Sequence, residues 1–152
     1  MSSFFGTTSN AAVKTALYLR ISTVDQKEGH GISAQKARCE AMAIVKGWAV
    51  EKIYTDEGVS GILDAEERPA FSQLFQDAQH GVINALIISA LDRLGRKTQI
   101  VLETVEKLSR LGVKLISCNE NFDTSTPTGT FMLTIFAALV QLERDTIMER
   151  TK

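Results

Sequence analysis

The sequence predicts an α/β fold: a mainly parallel sheet with flanking helices, followed by a long C-terminal oligomerisation helix. Three observations predict it. Short apolar runs alternate with helix-length amphipathic segments, the pattern of βαβ units. Glycines punctuate the ends of the helical segments. The last stretch of the chain is apolar nearly all the way round and carries no stop signal.

The elements follow in order. Strands are expected over 15–21 ("TALYLRI"), 49–54 ("AVEKIY"), 84–91 ("NALIISAL") and 113–119 ("VKLISCN"). The first helix takes Ser33 as N-cap, places Ala37, Ala41, Ile44 and Val45 on its core face, and stops at Gly47. The second starts at Pro69, an allowed first-turn residue, and carries Phe71, Leu74, Phe75 and Ala78 at core-facing spacing before Gly81. Val101, Val105, Leu108 and Leu111 mark the third, closed by Gly112. Thr126 and Pro127 then open the last helix as N-cap and first-turn proline.

That last helix holds two apolar stripes. Phe131, Ile135, Leu139 and Leu142 suffice for the face of a surface helix, so Met132, Phe136 and Val140 form a second stripe that a small core cannot also cover. The expectation is that the second stripe meets another subunit. No glycine, proline or cap interrupts "ERDTIMERTK", so the helix is expected to continue past Lys152. The organisation is then a flexible segment over 1–13, an α/β catalytic domain over 14–127, and the start of the oligomerisation helix over 128–152.

Bulk composition narrows the function classes. With 152 residues, 44% hydrophobic and 23% charged, the chain has the size and make-up of one globular domain. A formal net charge of -1 excludes a protein that holds a polyanion by bulk electrostatics; a few placed arginines would have to grip it. No membrane-length apolar run and no leader pattern occur, so the expected location is the cytoplasm, with Cys39 and Cys118 both reduced and buried. No phosphate-binding loop, dinucleotide fingerprint or clustered His and Cys appears, so no metal or cofactor is expected. His30 and His80 stand in glycine-flanked turns and are read as solvated loop residues.

In an open parallel sheet the functional crevice lies beyond the carboxyl ends of the strands. The first strand delivers Arg20 and Ser22 there, the second Asp56, the third Asp92, Arg93 and Arg96, the fourth Asn119, Glu120 and Asn121. Taken singly, a serine after a strand is most often a turn hydroxyl and an arginine a solvated charge. Their convergence is what points to chemistry. A serine among guanidinium groups suits attack on phosphorus, because planar cations bind the nonbridging oxygens and stabilise the charge that develops on them. A carboxyl such as Asp92 is placed to exchange a proton with the leaving oxygen.

These residues also match a known family. "YLRIST" with Gln26, "DEGVSG", "ERPAF", "LDRLGR", "FDTSTPTG" and "QLERDTIMER" resemble, in that order and spacing, the catalytic domain of the serine recombinases: resolvases, invertases, transposases and large serine integrases. The resemblance covers residue 14 to the end. It implies Ser22 as the nucleophile that forms a 5′-phosphoserine link to DNA, without metal or ATP, followed by strand exchange and religation. It further implies Arg20, Arg68, Arg93 and Arg96 as phosphate clamp, Asp92 as proton donor, and Tyr18, Gln26, Asp56, Glu143 and Arg144 as supporting residues. Double-stranded DNA, a homodimer and a synaptic homotetramer are the implied partners, and a prokaryotic, phage or mobile-element origin is implied. The loop "DEGVSGILDAEE" is expected to be mobile until DNA orders it.

Two other classes compete. A receiver-like signalling domain would use Asp56 as phosphoacceptor, but it needs acidic residues after the first strand, where Arg20 and Ser22 stand instead. A non-catalytic oligomerisation module would use the same rim only to hold an anion.

Overall fold

The computed structural model describes residues 12–21, 31–58 and 68–151, with side chains through residue 149. Ser22, Gln26, His30, most of the segment expected over 1–13, and the body of the loop leading to Arg68 lie outside the described residues.

Five strands form one sheet in the order β2-β1-β3-β4-β5. They are β1 (Thr15–Ile21), β2 (Val50–Glu57), β3 (Ala85–Ile88), β4 (Lys114–Ser117) and β5 (Phe122–Asp123). The first four pair in parallel; β5 is antiparallel to β4. Among the described residues the helices are α1 (Ile32–Lys46), α2 (Pro69–Gln79), α3 (Thr98–Arg110) and α4 (Pro127–Thr151), with a 3-10 turn at Leu91–Arg93. The α/β class and the long last helix expected from the sequence are both present.

β1 lies between β2 and β3 and is buried along its whole length, which is why it reads as an unbroken apolar run. Its alternate residues feed two cores. Ala16 and Tyr18 pack with Phe71, Leu74 and Phe75 of α2 and Val101, Val105 and Leu108 of α3; Leu17 and Leu19 pack with Cys39 and Ala43 of α1. Each fully buried large side chain contributes about 1.5–3 kcal/mol of apolar transfer.

The face of α1 differs from expectation. Ala37 and Ala41 are exposed, and Ile44 and Val45 are 79% and 78% exposed. The buried positions are Gln35, Cys39 and Ala43, with Ile32 and Met42 half-buried beside them. A glutamine on the core face broke the apolar pattern, and the face expected from the sequence is nearly opposite the buried one. The helix also begins at Ile32, after Gly31, and Ser33 does not cap it. The third and fourth strands are shorter than expected, because the chain turns at Leu91 and again after Ser117. The second runs on through Asp56, and the two-residue β5 left no apolar run to be read.

α4 is correctly opened: Thr126 Oγ1 accepts the Gly129 N–H at 3.0 Å. Gly129 is required there, since a Cβ on it would meet the Asp123 carbonyl oxygen at 1.9 Å. The two stripes of α4 are exchanged relative to expectation. Met132, Leu133 and Phe136 pack against the core shared with α2 and α3, Phe136 lies 6.2 Å from the ring of Phe122, and Val140 is buried. Phe131, Ile135, Leu139 and Leu142 face outward, 42–64% exposed. Both stripes are equally apolar, so spacing alone could not say which one the body covers; β5 decides it by presenting Phe122 to one side of the helix.

Candidate active site

Strand order reverses at β1: the chain passes from β1 to β2 on one side and then to β3 on the other, so a crevice opens at the carboxyl ends of β1 and β3. β3 stops at Ile88 and pairs with only the first three residues of β1. Beyond that point the β3-side backbone of β1 needs another partner. Gln35 supplies it. Its Oε1 accepts the Arg20 N–H at 3.2 Å, and its Nε2 donates to the Arg20 carbonyl at 2.9 Å, as a neighbouring strand would. This buried amide explains why α1 carries a polar residue on its core face.

The guanidinium of Arg20, fully buried, reaches across to the 3-10 turn. Its Nε donates to the Arg93 carbonyl at 3.0 Å and its Nη2 to the Asp92 carbonyl at 2.8 Å. Arg93 answers, with Nη1 donating to the Arg20 carbonyl at 2.8 Å and Nε to Asp92 Oδ1 at 3.0 Å. Arg68, at the mouth of α2 and also fully buried, donates from Nη1 to the same Arg93 carbonyl at 3.0 Å and from Nη2 to the Leu94 carbonyl. Its Nε has no hydrogen-bond partner among the described residues. Three guanidinium groups from three distant segments therefore gather at one turn: its carbonyls accept from Arg20 and Arg68, and the Arg20 carbonyl and the Asp92 carboxylate accept from Arg93, which holds the three side by side against their mutual repulsion.

Tyr18 and Asp56 hold this cluster from behind. The Tyr18 hydroxyl donates to Asp56 Oδ2 at 2.8 Å and accepts from Arg68 Nη1 at 3.4 Å. Burial pushes the Tyr18 phenol well above its usual range; the Arg68 charge opposes this and the Asp56 carboxylate adds to it, so the group stays a donor. Asp56 also accepts the backbone N–H groups of Ala70 (2.9 Å) and Phe71 (3.2 Å) in the first turn of α2, where Arg68 offers no cap of its own. The Arg68 guanidinium lies 4.9 Å from the Phe71 ring centroid and 5.8 Å from that of Tyr18. Asp56 is thus a buried helix cap, engaged on both oxygens, which is not the position of an exposed phosphoacceptor.

Of the residues expected at the site, the structure brings together Tyr18, Arg20, Asp56, Arg68, Asp92 and Arg93. The Asp92 side chain is 62% exposed, at the outer edge. Arg96 is exposed in the bend that leads into α3, and Glu143 and Arg144 are exposed on α4. Sequence reasoning missed Gln35 and the part played by Glu120. The Glu120 carboxylate accepts the Leu91 N–H at 3.2 and 3.3 Å and the Ser117 hydroxyl, and so anchors the start of the turn that carries Asp92 and Arg93. The signal for Gln35 was present: a polar residue spaced three after Ile32 and four before Cys39. For Glu120 no sequence signal distinguished it from a solvated loop acid.

Among the described residues no group of three or more His, Cys, Asp or Glu is arranged to hold a metal ion, and no helix is long and apolar enough to cross a membrane. The family model "Resolvase, N terminal domain" matches residues 15–152. The chain is similar to the transposon Tn917 resolvase of Enterococcus faecalis, 33% identical over 88% of this chain and 65% of that one. It is 35% identical to the probable DNA-invertase y4cG of Sinorhizobium fredii, over 89% of this chain and 39% of the relative. Among solved structures, the N-terminal catalytic domain of TP901-1 integrase superposes with a TM-score of 0.78 at 35% identity, covering 88% of this chain and 98% of that one. The chain spans less than two thirds of the length of the curated relatives it matches.

Proposed function

Because the chain belongs to the serine recombinase family and carries its resolvase-type N-terminal domain, we propose that it cleaves and rejoins DNA by transesterification, with Ser22 as nucleophile. The observation that carries this reading is the gathering of Arg20, Arg68 and Arg93 on the turn at 91–94, at the end of the strand whose next residue is Ser22. A phosphodiester held there would meet several charge-assisted donors at once, and its developing charge would be offset without bulk positive charge on the protein.

In this reading the Ser22 hydroxyl gives up its proton to solvent as its oxygen attacks phosphorus, the 5′-phosphate becomes esterified to Ser22, and the 3′-oxygen leaves with a proton from Asp92. Asp92 suits that role by its exposed position at the outer edge of the cluster, and Arg93 Nε, at 3.0 Å, fixes its orientation. The reverse attack religates. Because each step exchanges one phosphoester for another, the bond energy is kept on the protein and neither ATP nor a metal ion is called for. Arg68 Nε, buried and without a partner among the described residues, supports a bound anion beside it. Arg96 is assigned to the same phosphate, Gln26 to positioning the serine, and Glu143 and Arg144 to the assembled complex. Double-stranded DNA is the substrate. The outward stripe of α4, Phe131, Ile135, Leu139 and Leu142, supports a homodimer that pairs into a synaptic tetramer.

The test is covalent. The chain is fused at its C-terminal end to a DNA-binding module of known site and incubated with duplexes carrying two inverted copies of that site. DNA-linked protein is then separated under denaturing conditions. Wild type forms the adduct; Ser22→Ala forms none; Arg20→Ala and Arg93→Ala form it about 10²–10³-fold more slowly. An adduct that persists in Ser22→Ala assigns the nucleophile elsewhere, and a folded wild type that binds without any adduct leaves a module that only holds an anion.

A further inference from the structure

Two thiols far apart in sequence meet where α1 crosses the sheet. Cys39 lies on the sheet-facing side of α1 and Cys118 directly follows β4. Cys118 packs against the buried cluster that holds Cys39, and the Cys118 S–H donates to the carbonyl of Arg38, the residue before Cys39, at 3.9 Å. The pair is unequal. Cys39 is fully buried, whereas Cys118 is partly exposed and open to a small reagent. Neither takes part in the chemistry assigned to the arginine cluster.

We propose that Cys39 and Cys118 form a peroxide-reactive dithiol, in which Cys118 reacts first and Cys39 then closes an intramolecular disulfide between α1 and the end of β4. A hydrogen bond from Cys39, stronger in effect than burial, and the charge of Arg38 hold the Cys118 thiol below its usual range; the same hydrogen bond, with burial, keeps Cys39 protonated. In the first step the Cys118 thiolate attacks one oxygen of a hydroperoxide. The O–O bond breaks, the second oxygen leaves and takes up a proton, and Cys118 becomes a sulfenic acid as the peroxide is reduced. In the second step the Cys39 sulfur displaces the hydroxyl: the S–S bond forms, the S–O bond breaks, and water leaves with the Cys39 proton.

The place of the bridge gives it structural reach. Cys39 stands one turn beyond Gln35, which holds the Arg20 backbone, and Cys118 stands two residues before Glu120, which holds the 3-10 turn. Oxidation would fasten together the two supports of the arginine cluster. The proposal does not rest on the assignment of Ser22, and its test contains no DNA.

Reduced full chain is treated with hydrogen peroxide, quenched with catalase, alkylated, and measured by intact mass and peptide mapping. The expected product is a monomer lighter by two hydrogen atoms, with a peptide joining residues 39 and 118, restored by dithiothreitol. Cys39→Ser should accumulate a sulfenic acid at position 118 that dimedone traps. Cys118→Ser should lose its remaining thiol about tenfold more slowly than wild type. Circular dichroism checks that both variants fold; should one not, the wild-type product alone decides. Full alkylation of both thiols after peroxide, a disulfide joining two chains, or oxidation of Cys39 at the wild-type rate in Cys118→Ser overturns the proposal.

Discussion

Arg20 stands under two constraints at once: its backbone ends a buried strand that has lost its neighbour, and its guanidinium holds the turn that carries Asp92 and Arg93. Gln35 meets the first constraint and thereby fixes the second. Gln35→Leu keeps the volume but removes both hydrogen bonds to Arg20, leaving a buried N–H without its acceptor. The expected cost is about 1–3 kcal/mol, read as a lower urea midpoint with an unchanged slope. Adduct formation should slow as well, because Arg20 loses its position while keeping its charge. Arg20 and Arg93 were legible in the sequence, since each stands at or beyond the end of a strand; Arg68 was reached only through the family resemblance. Gln35 was not singled out: its spacing from Ile32 and Cys39 put a polar residue on the core face, but nothing local says that its amide replaces a strand partner, a need that only the early end of β3 creates.

Among the elements, α4 shows what periodicity can and cannot decide. Its length, its N-cap and its two apolar stripes were all readable, but the inward stripe is the one that reaches Phe122 and the α3 face. Charging the outward stripe with Ile135→Glu and Leu139→Glu should lower the apparent mass in light scattering and leave the thermal midpoint nearly unchanged. Phe136→Asp should instead destabilise the body by roughly 3 kcal/mol or more, since it places a charge in the core. Equal loss of stability in both variants would mean that both stripes are core. The first turn of the same helix offers a sign reversal. Glycine to alanine in a helix ordinarily stabilises by about 1 kcal/mol, yet Gly129→Ala should destabilise by roughly 1–3 kcal/mol, because its Cβ has no room beside the Asp123 carbonyl. Urea unfolding of the single variant distinguishes the two signs.

Across the whole molecule, stability should depend on acid through Asp77, which ties α2 to β2. Its carboxylate accepts from Lys52 at 2.8 Å, from the Tyr54 hydroxyl at 2.5 Å and from Gln73 at 3.0 Å. The Lys52 hydrogen bond first, then that of Tyr54, hold it below the ordinary aspartate value of 3.8 despite its burial. A carboxylate lowered on folding stabilises above its unfolded value and loses that contribution as pH falls through the folded one. Wild type should therefore lose stability more steeply than Asp77→Asn as pH drops below about 3.8, with the two curves parallel at neutral pH. Equal slopes in urea titrations across that window would show that Asp77 is not held by these donors.

The sequence by itself determined the α/β alternation, the rim on which the polar residues collect, and the motifs that place the chain in its family, because each of these is carried by local order: period, punctuation and spacing. Only the tertiary structure decided which stripe of α4 turns inward, which face of α1 is buried, that Gln35 and Glu120 brace the arginines, and that Cys39 meets Cys118. Those outcomes depend on which distant segment arrives opposite a given side chain, and that is set by the order of strands in the sheet rather than by any neighbouring residue.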